Sequence, residues 1–74
     1  PTIRVGGTKT LNVDTTEIVT WSVESDVGAT ITPDGNSVKV KCPNDMSFVD
    51  KTITVKATVG SDVGECILTI TGGL

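Results

Sequence analysis

The chain has 74 residues, room for one small domain spanning 1–74 and no second hydrophobic core. Hydrophobic residues make up 36% and charged residues 20%, with no apolar run near the length of a membrane-spanning helix. A net charge of −3 speaks against nucleic acid as a partner, and the absence of His removes the usual general base and the commonest metal ligand together.

Thr, Val and Ile supply 30 of the 74 residues. Their branching at Cβ suits a pleated sheet better than a helix. Period-2 alternation predicts seven strands. The first, 2–5, turns Ile3 and Val5 inward and stops at Gly6-Gly7; the second, 8–14, points Leu11 and Val13 inward. The third, 18–24, sets Val19, Trp21 and Val23 on one face, and the fourth, 28–32, offers Ala29 and Ile31.

Pro33-Asp34-Gly35-Asn36 is the strongest turn signal. After it, 37–42 alternates Val38, Val40 and Cys42 with Lys39 and Lys41, lysines of the kind that protect a sheet edge. A longer loop, 43–50, precedes the sixth strand, 51–59, with Ile53, Val55, Ala57 and Val59 inward. Gly60-Ser61-Asp62 then turns the chain into 64–71, where Cys66, Leu68 and Ile70 face in. Ser-Asp-Val-Gly occurs at 25–28 and again at 61–64, which predicts two similar turns rather than a duplication. The start at Pro1 suggests a piece of a longer polypeptide, and 72–74 reads as a tail.

Seven short strands with one apolar face each predict an all-β, immunoglobulin-like Greek-key β-sandwich of about seven antiparallel strands. Its core is expected to surround Trp21.

Four features resemble the group 2 bacterial immunoglobulin-like domains. They are Gly6-Gly7-Thr8 leading to the Leu11/Val13 strand, Val19-Thr20-Trp21-Ser22, Ala29-Thr30-Ile31 followed by Asp34-Gly35, and the closing pair of strands, 52–58 and 66–70. The family usually joins the fifth and sixth strands by a short Gly-containing turn, so loop 43–50, longer and without Gly, is a departure. The resemblance implies a module of a bacterial adhesin or of a phage capsid or tail protein, with adhesion or display as its role.

Each candidate site has a plainer reading beside it. Asp14, Glu17, Asp34 and Asp62 fall in loops expected at one end, where converging carboxylates suit Ca²⁺; turn chemistry explains each of them singly. Cys42 and Cys66 both face inward but towards opposite ends, too far apart for a bridge, so two buried free thiols are expected, in keeping with assembly in a reducing cytosol. No zinc spacing is present. Phe48 and Met46 either plug the end of the sandwich or form an exposed contact tip. A flat face of Thr20, Ser22, Thr52, Thr54, Lys56, Thr58, Thr69 and Thr71 is a solvated sheet surface or a weak carbohydrate platform.

The expected function is a non-enzymatic accessory module of a phage virion or bacterial surface protein, located on the virion or bacterial cell surface. No catalytic, cofactor-binding or metal residue is assigned. The expected partners are neighbouring domains and possible cell-surface glycan, with no nucleic acid and no membrane insertion. The alternative is a passive spacer repeat in an adhesin.

Overall fold

A computed structural model describes residues 1–72. Its strands are β1 (Thr2–Arg4), β2 (Thr8–Asn12), β3 (Thr20–Ser25), β4 (Thr30–Asp34), β5 (Ser37–Lys41), β6 (Thr52–Val59) and β7 (Asp62–Thr71). A single 3₁₀ turn, Met46–Phe48, lies between β5 and β6. The strands form two sheets, β1-β7-β6-β3 and β2-β5-β4. Setting strands 2, 5 and 4 against 3, 6 and 7 is the partition of an immunoglobulin-like Greek-key sandwich. Here β1 lies on the outer edge of β7.

The inner faces meet as the alternation requires. Ile3, Val5, Val27, Val38, Val40, Cys42, Ile53, Val55, Leu68 and Ile70 are buried, and burying each large aliphatic side chain stabilises by roughly 1.5–3 kcal/mol. Leu11, Trp21, Val23, Ala29, Ile31, Phe48, Val49 and Cys66 pack against them half-buried. Trp21 therefore borders the core rather than forming its centre.

Both hairpins use one device. Asp34 pairs with Ser37 and Val59 with Asp62, leaving two-residue loops, Gly35-Asn36 and Gly60-Ser61. Gly35 has φ 62° and Gly60 φ 60°, while Asn36 and Ser61 stay at negative φ. Positive φ at the first central position alone is the type II′ pattern, whose twist matches the flanking strands. The turn is thus centred on Gly-Asn, and Pro33 lies within β4, an edge strand where its missing N–H is tolerated.

Several expectations change. The sheet is not wholly antiparallel, since β1 runs parallel to β7. Lys39 and Lys41 lie on β5, which is central, and their cross-strand neighbours are threonines on β2 and β4. β3 starts at Thr20, leaving Ile18 89% exposed. β7 begins at Asp62, because the II′ loop is only two residues long. The two Ser-Asp-Val-Gly segments differ: the first ends β3 and buries Val27, the second spans a hairpin and exposes Val63. Of the expected tail, 73–74 lies outside the described residues.

Candidate functional site

Four surfaces carry the candidate residues, and the strand register decides what each can do. On the outer face of the larger sheet, successive rows read Thr20–Thr58–Val63, Ser22–Lys56–Glu65 and Glu24–Thr54–Ile67. Thr2, Thr69 and Thr52 form the next row. The threonine face exists as expected, but Val63, Glu65 and Ile67 interrupt it. Val63 and Ile67 are 60% and 53% exposed. Ile67 was legible, since it alternates with Cys66 and Leu68; Val63 was hidden by the later predicted start of β7.

Lys56 ties this face together. Its Nζ donates to Glu24 Oε1 at 2.9 Å and lies 3.8 Å from Glu65 Oε1. The hydrogen bond to Glu24, then the charges of Glu24 and Glu65, hold the ammonium above its ordinary pKa. On so exposed a surface such pairs order side chains more than they stabilise the fold.

At the acidic end, Asp14, Glu17, Asp34 and Asp62 are all exposed. Among the described residues no three acidic, Cys or His side chains come together as a metal would require. Neutral hydrogen bonds join the β2–β3 and β4–β5 connections instead. Val13 N–H donates to Asn36 O at 2.8 Å, Asn36 Nδ2 to Thr15 O at 3.3 Å, and Ser37 Oγ to Asn12 Oδ1 at 2.6 Å. Trp21 Nε1 adds a bond to Gly35 O at 3.1 Å.

Loop 43–50 is a built structure. Asp45 caps the 3₁₀ turn, its Oδ1 accepting from Ser47 N–H at 2.9 Å and Ser47 Oγ at 2.8 Å. The backbone bond, then the hydroxyl, holds the Asp45 carboxyl below its ordinary pKa. Phe48 and Val49 pack on the core while Met46 is 57% exposed. The plug is therefore Phe48 with Val49, and Met46 stays outside it.

The fourth surface was not foreseen. Near the β6–β7 hairpin the sheets part, opening a largely apolar cleft of about 250 Å³ between Leu11 and Val13, in and just after β2, and Trp21, Val55, Ala57 and Cys66 of the larger sheet. Cys66 is half-exposed here and Cys42 is buried, and neither is bonded to the other. Burial pushes the Cys42 thiol above its ordinary pKa, with a hydrogen bond to the Gly6 backbone opposing. Only Cys42 is therefore the fully buried thiol expected.

Compared with protein-family models, curated proteins and solved structures, the chain matches none.

Proposed function

We propose that this domain is a non-enzymatic, immunoglobulin-like display module of a larger phage virion or bacterial surface protein, touching cell-surface carbohydrate weakly through its threonine face. The observation that carries the reading is the parallel pairing of the first and last strands on one sheet edge. Polypeptide enters and leaves in the same direction, so attached neighbours prolong the 38 Å axis of a body only 18 × 17 Å across. Repeated display multiplies weak contacts through effective concentration.

A second reading is a passive spacer with no ligand of its own. It is favoured by the occupation of Lys56 by Glu24 and Glu65, and by the position of Trp21 and Phe48 off the threonine face. Titrating the isotope-labelled domain with bacterial cell-wall polysaccharide separates the two. Saturable amide shifts at Thr20, Thr54, Thr58 and Thr69 support glycan contact; an unchanged spectrum at millimolar sugar leaves the spacer.

A further inference from the structure

Strand parity fixes which backbone groups each sheet edge offers. Ile70 N–H donates to Lys51 O at 2.9 Å, so the even-numbered residues of β7 bond the odd-numbered residues of β6. The even-numbered residues of β6 then bond Thr20, Ser22 and Glu24 of β3. By alternation, the N–H and C=O groups of Trp21, Val23 and Ser25 point off the outer edge of β3. Among the described residues, none of them has a backbone partner there.

The other three edges are guarded. Cys42 N–H donates to Gly7 O at 3.0 Å, and the same counting turns Ile31 and Pro33 off the edge of β4, where Pro33 has no N–H to offer. On β2, Lys9 takes the inward parity of Leu11 and is half-buried, a charge that any added strand has to cover. β7 carries β1, and any residues ahead of Pro1 would lengthen the same ladder. The remaining edge, β3, lies on the far side of the larger sheet from β7. It has no Pro, no inward charge and no bulge, so nothing in its own residues discourages pairing.

We propose that two copies of this domain pair antiparallel through the outer edges of β3, about a two-fold axis beside Val23. Val23 then meets its own counterpart and Trp21 meets the partner's Ser25, so all three off-edge residues exchange main-chain bonds. Charge complementarity selects a second copy as the occupant. On the outer face this register lays Ser22 between Lys56 of its own sheet and the partner's Glu24, in one cross-strand row. The Glu24 side chain is 68% exposed, and its carboxylate can reach the partner's Lys56 across the short serine. Two-fold symmetry makes the contact twice, with no like charges opposite one another. Centring on Glu24 would set two carboxylates face to face, and centring on Ser22 takes Ser25 past the start of the partner's β3. The pairing joins the two larger sheets into one. It concerns an edge rather than the threonine face, and its test is independent of glycan binding.

The test is a concentration series of the isotope-labelled chain at low salt, followed by sedimentation and by amide spectra. Expected is a mass rising towards twice that of one chain, with shifts and slowed hydrogen exchange at the amides of Trp21, Val23 and Ser25. Glu24→Lys and Lys56→Glu should each weaken self-association about tenfold, since each makes two attractive contacts repulsive. Mixed one to one, the two variants should associate again, because each carries the charge that the other lacks. Val23→Pro should abolish pairing, since it deletes an edge donor that β6 does not use, and its β3–β6 amide spectrum verifies the fold. The proposal is overturned by a mixture that associates no better than its parts, or by association whose shifts fall on β2, β4 or β7. A single monomeric species at millimolar concentration overturns it too, and leaves the edge to an unlike polypeptide.

Discussion

The two ends of the sandwich are made from the same kinds of residue and behave differently. At the end beside loop 43–50, Cys42, Ile53 and Ile70 are fully buried and Val5 nearly so. At the other, Trp21 and Cys66 are half-covered and the first four residues of β7 are exposed. Alternation is equally regular at both. The closed end has two additional pieces of chain: β1 along the edge of β7, and Phe48 and Val49 laid over the core. The inward side chains nearest the rim are buried at the end where further chain also covers the edge of the layers.

Thiol chemistry measures that contrast with the largest expected effect. Cys66 should react with a soluble disulfide reagent in the native state. Cys42 should react only when the domain opens, slower by on the order of 10³ or more at the stability usual for a chain this size. Comparable native rates would show that the closed end is not closed. The pH dependence follows in sign. Because folding raises the Cys42 pKa, its contribution is fully present below the ordinary thiol value of 9.0 and is lost as pH rises beyond it towards the folded value. Urea melts between neutral and alkaline pH should show this decline, and Cys42→Ala should flatten it.

Truncations along β7 compare its inward and outward faces within one strand. Leu68 is fully buried, so Leu68→Ala should cost about 2–5 kcal/mol, enough to bring a domain of this size near its unfolding midpoint. Val63, five residues earlier on the outer face and 60% exposed, should change stability by no more than about 0.5 kcal/mol when truncated to Ala. Equal losses in urea denaturation would mean that Val63 is covered in solution.

Much of the fold was legible in the residues because the strands alternate cleanly and Gly marks both hairpins. The two sheets follow from the Greek-key order. Partners were harder to read, since a strand's parity says which face is inward but not which strand lies beside it. Lys39 and Lys41 look like edge lysines and sit on a central strand; β1 looks like any short strand and pairs in parallel. The threonine face was visible as parity alone. The cleft at Trp21 was not, because parity does not say where the two sheets part. The acidic residues illustrate the remaining gap: loops meeting at one end do not bring their carboxylates together.

A smaller effect belongs to the close of loop 43–50. Asp50 has φ 74°, the left-handed region, where a residue with Cβ carries about 1 kcal/mol or more of strain. Its N–H donates to Ile70 O at 2.9 Å, so this conformation hooks the loop onto β7. Asp50→Gly should raise stability by up to about 1 kcal/mol, less the entropy that Gly loses on folding. Asp50→Val should lower it. Thermal melts of the pair test whether the closed end is held by this hook.

The smallest effect is expected from the Asp45 cap, and it is local to the closed end. Folding lowers the Asp45 pKa through the Ser47 backbone and hydroxyl hydrogen bonds. The cap's contribution is therefore complete above the ordinary carboxyl value of 3.8 and is lost as pH falls through the lower folded value. Asp45→Asn keeps an acceptor for Ser47 N–H but removes the charge, so its loop should be insensitive to pH in this range. Amide spectra between neutral pH and pH 2 should show Ser47 and Phe48 loosening in the parent and not in the variant, with Val63 at the open end following neither. Loosening of both ends together would mean that the domain melts as one unit and that the loop has no separate stability to lose.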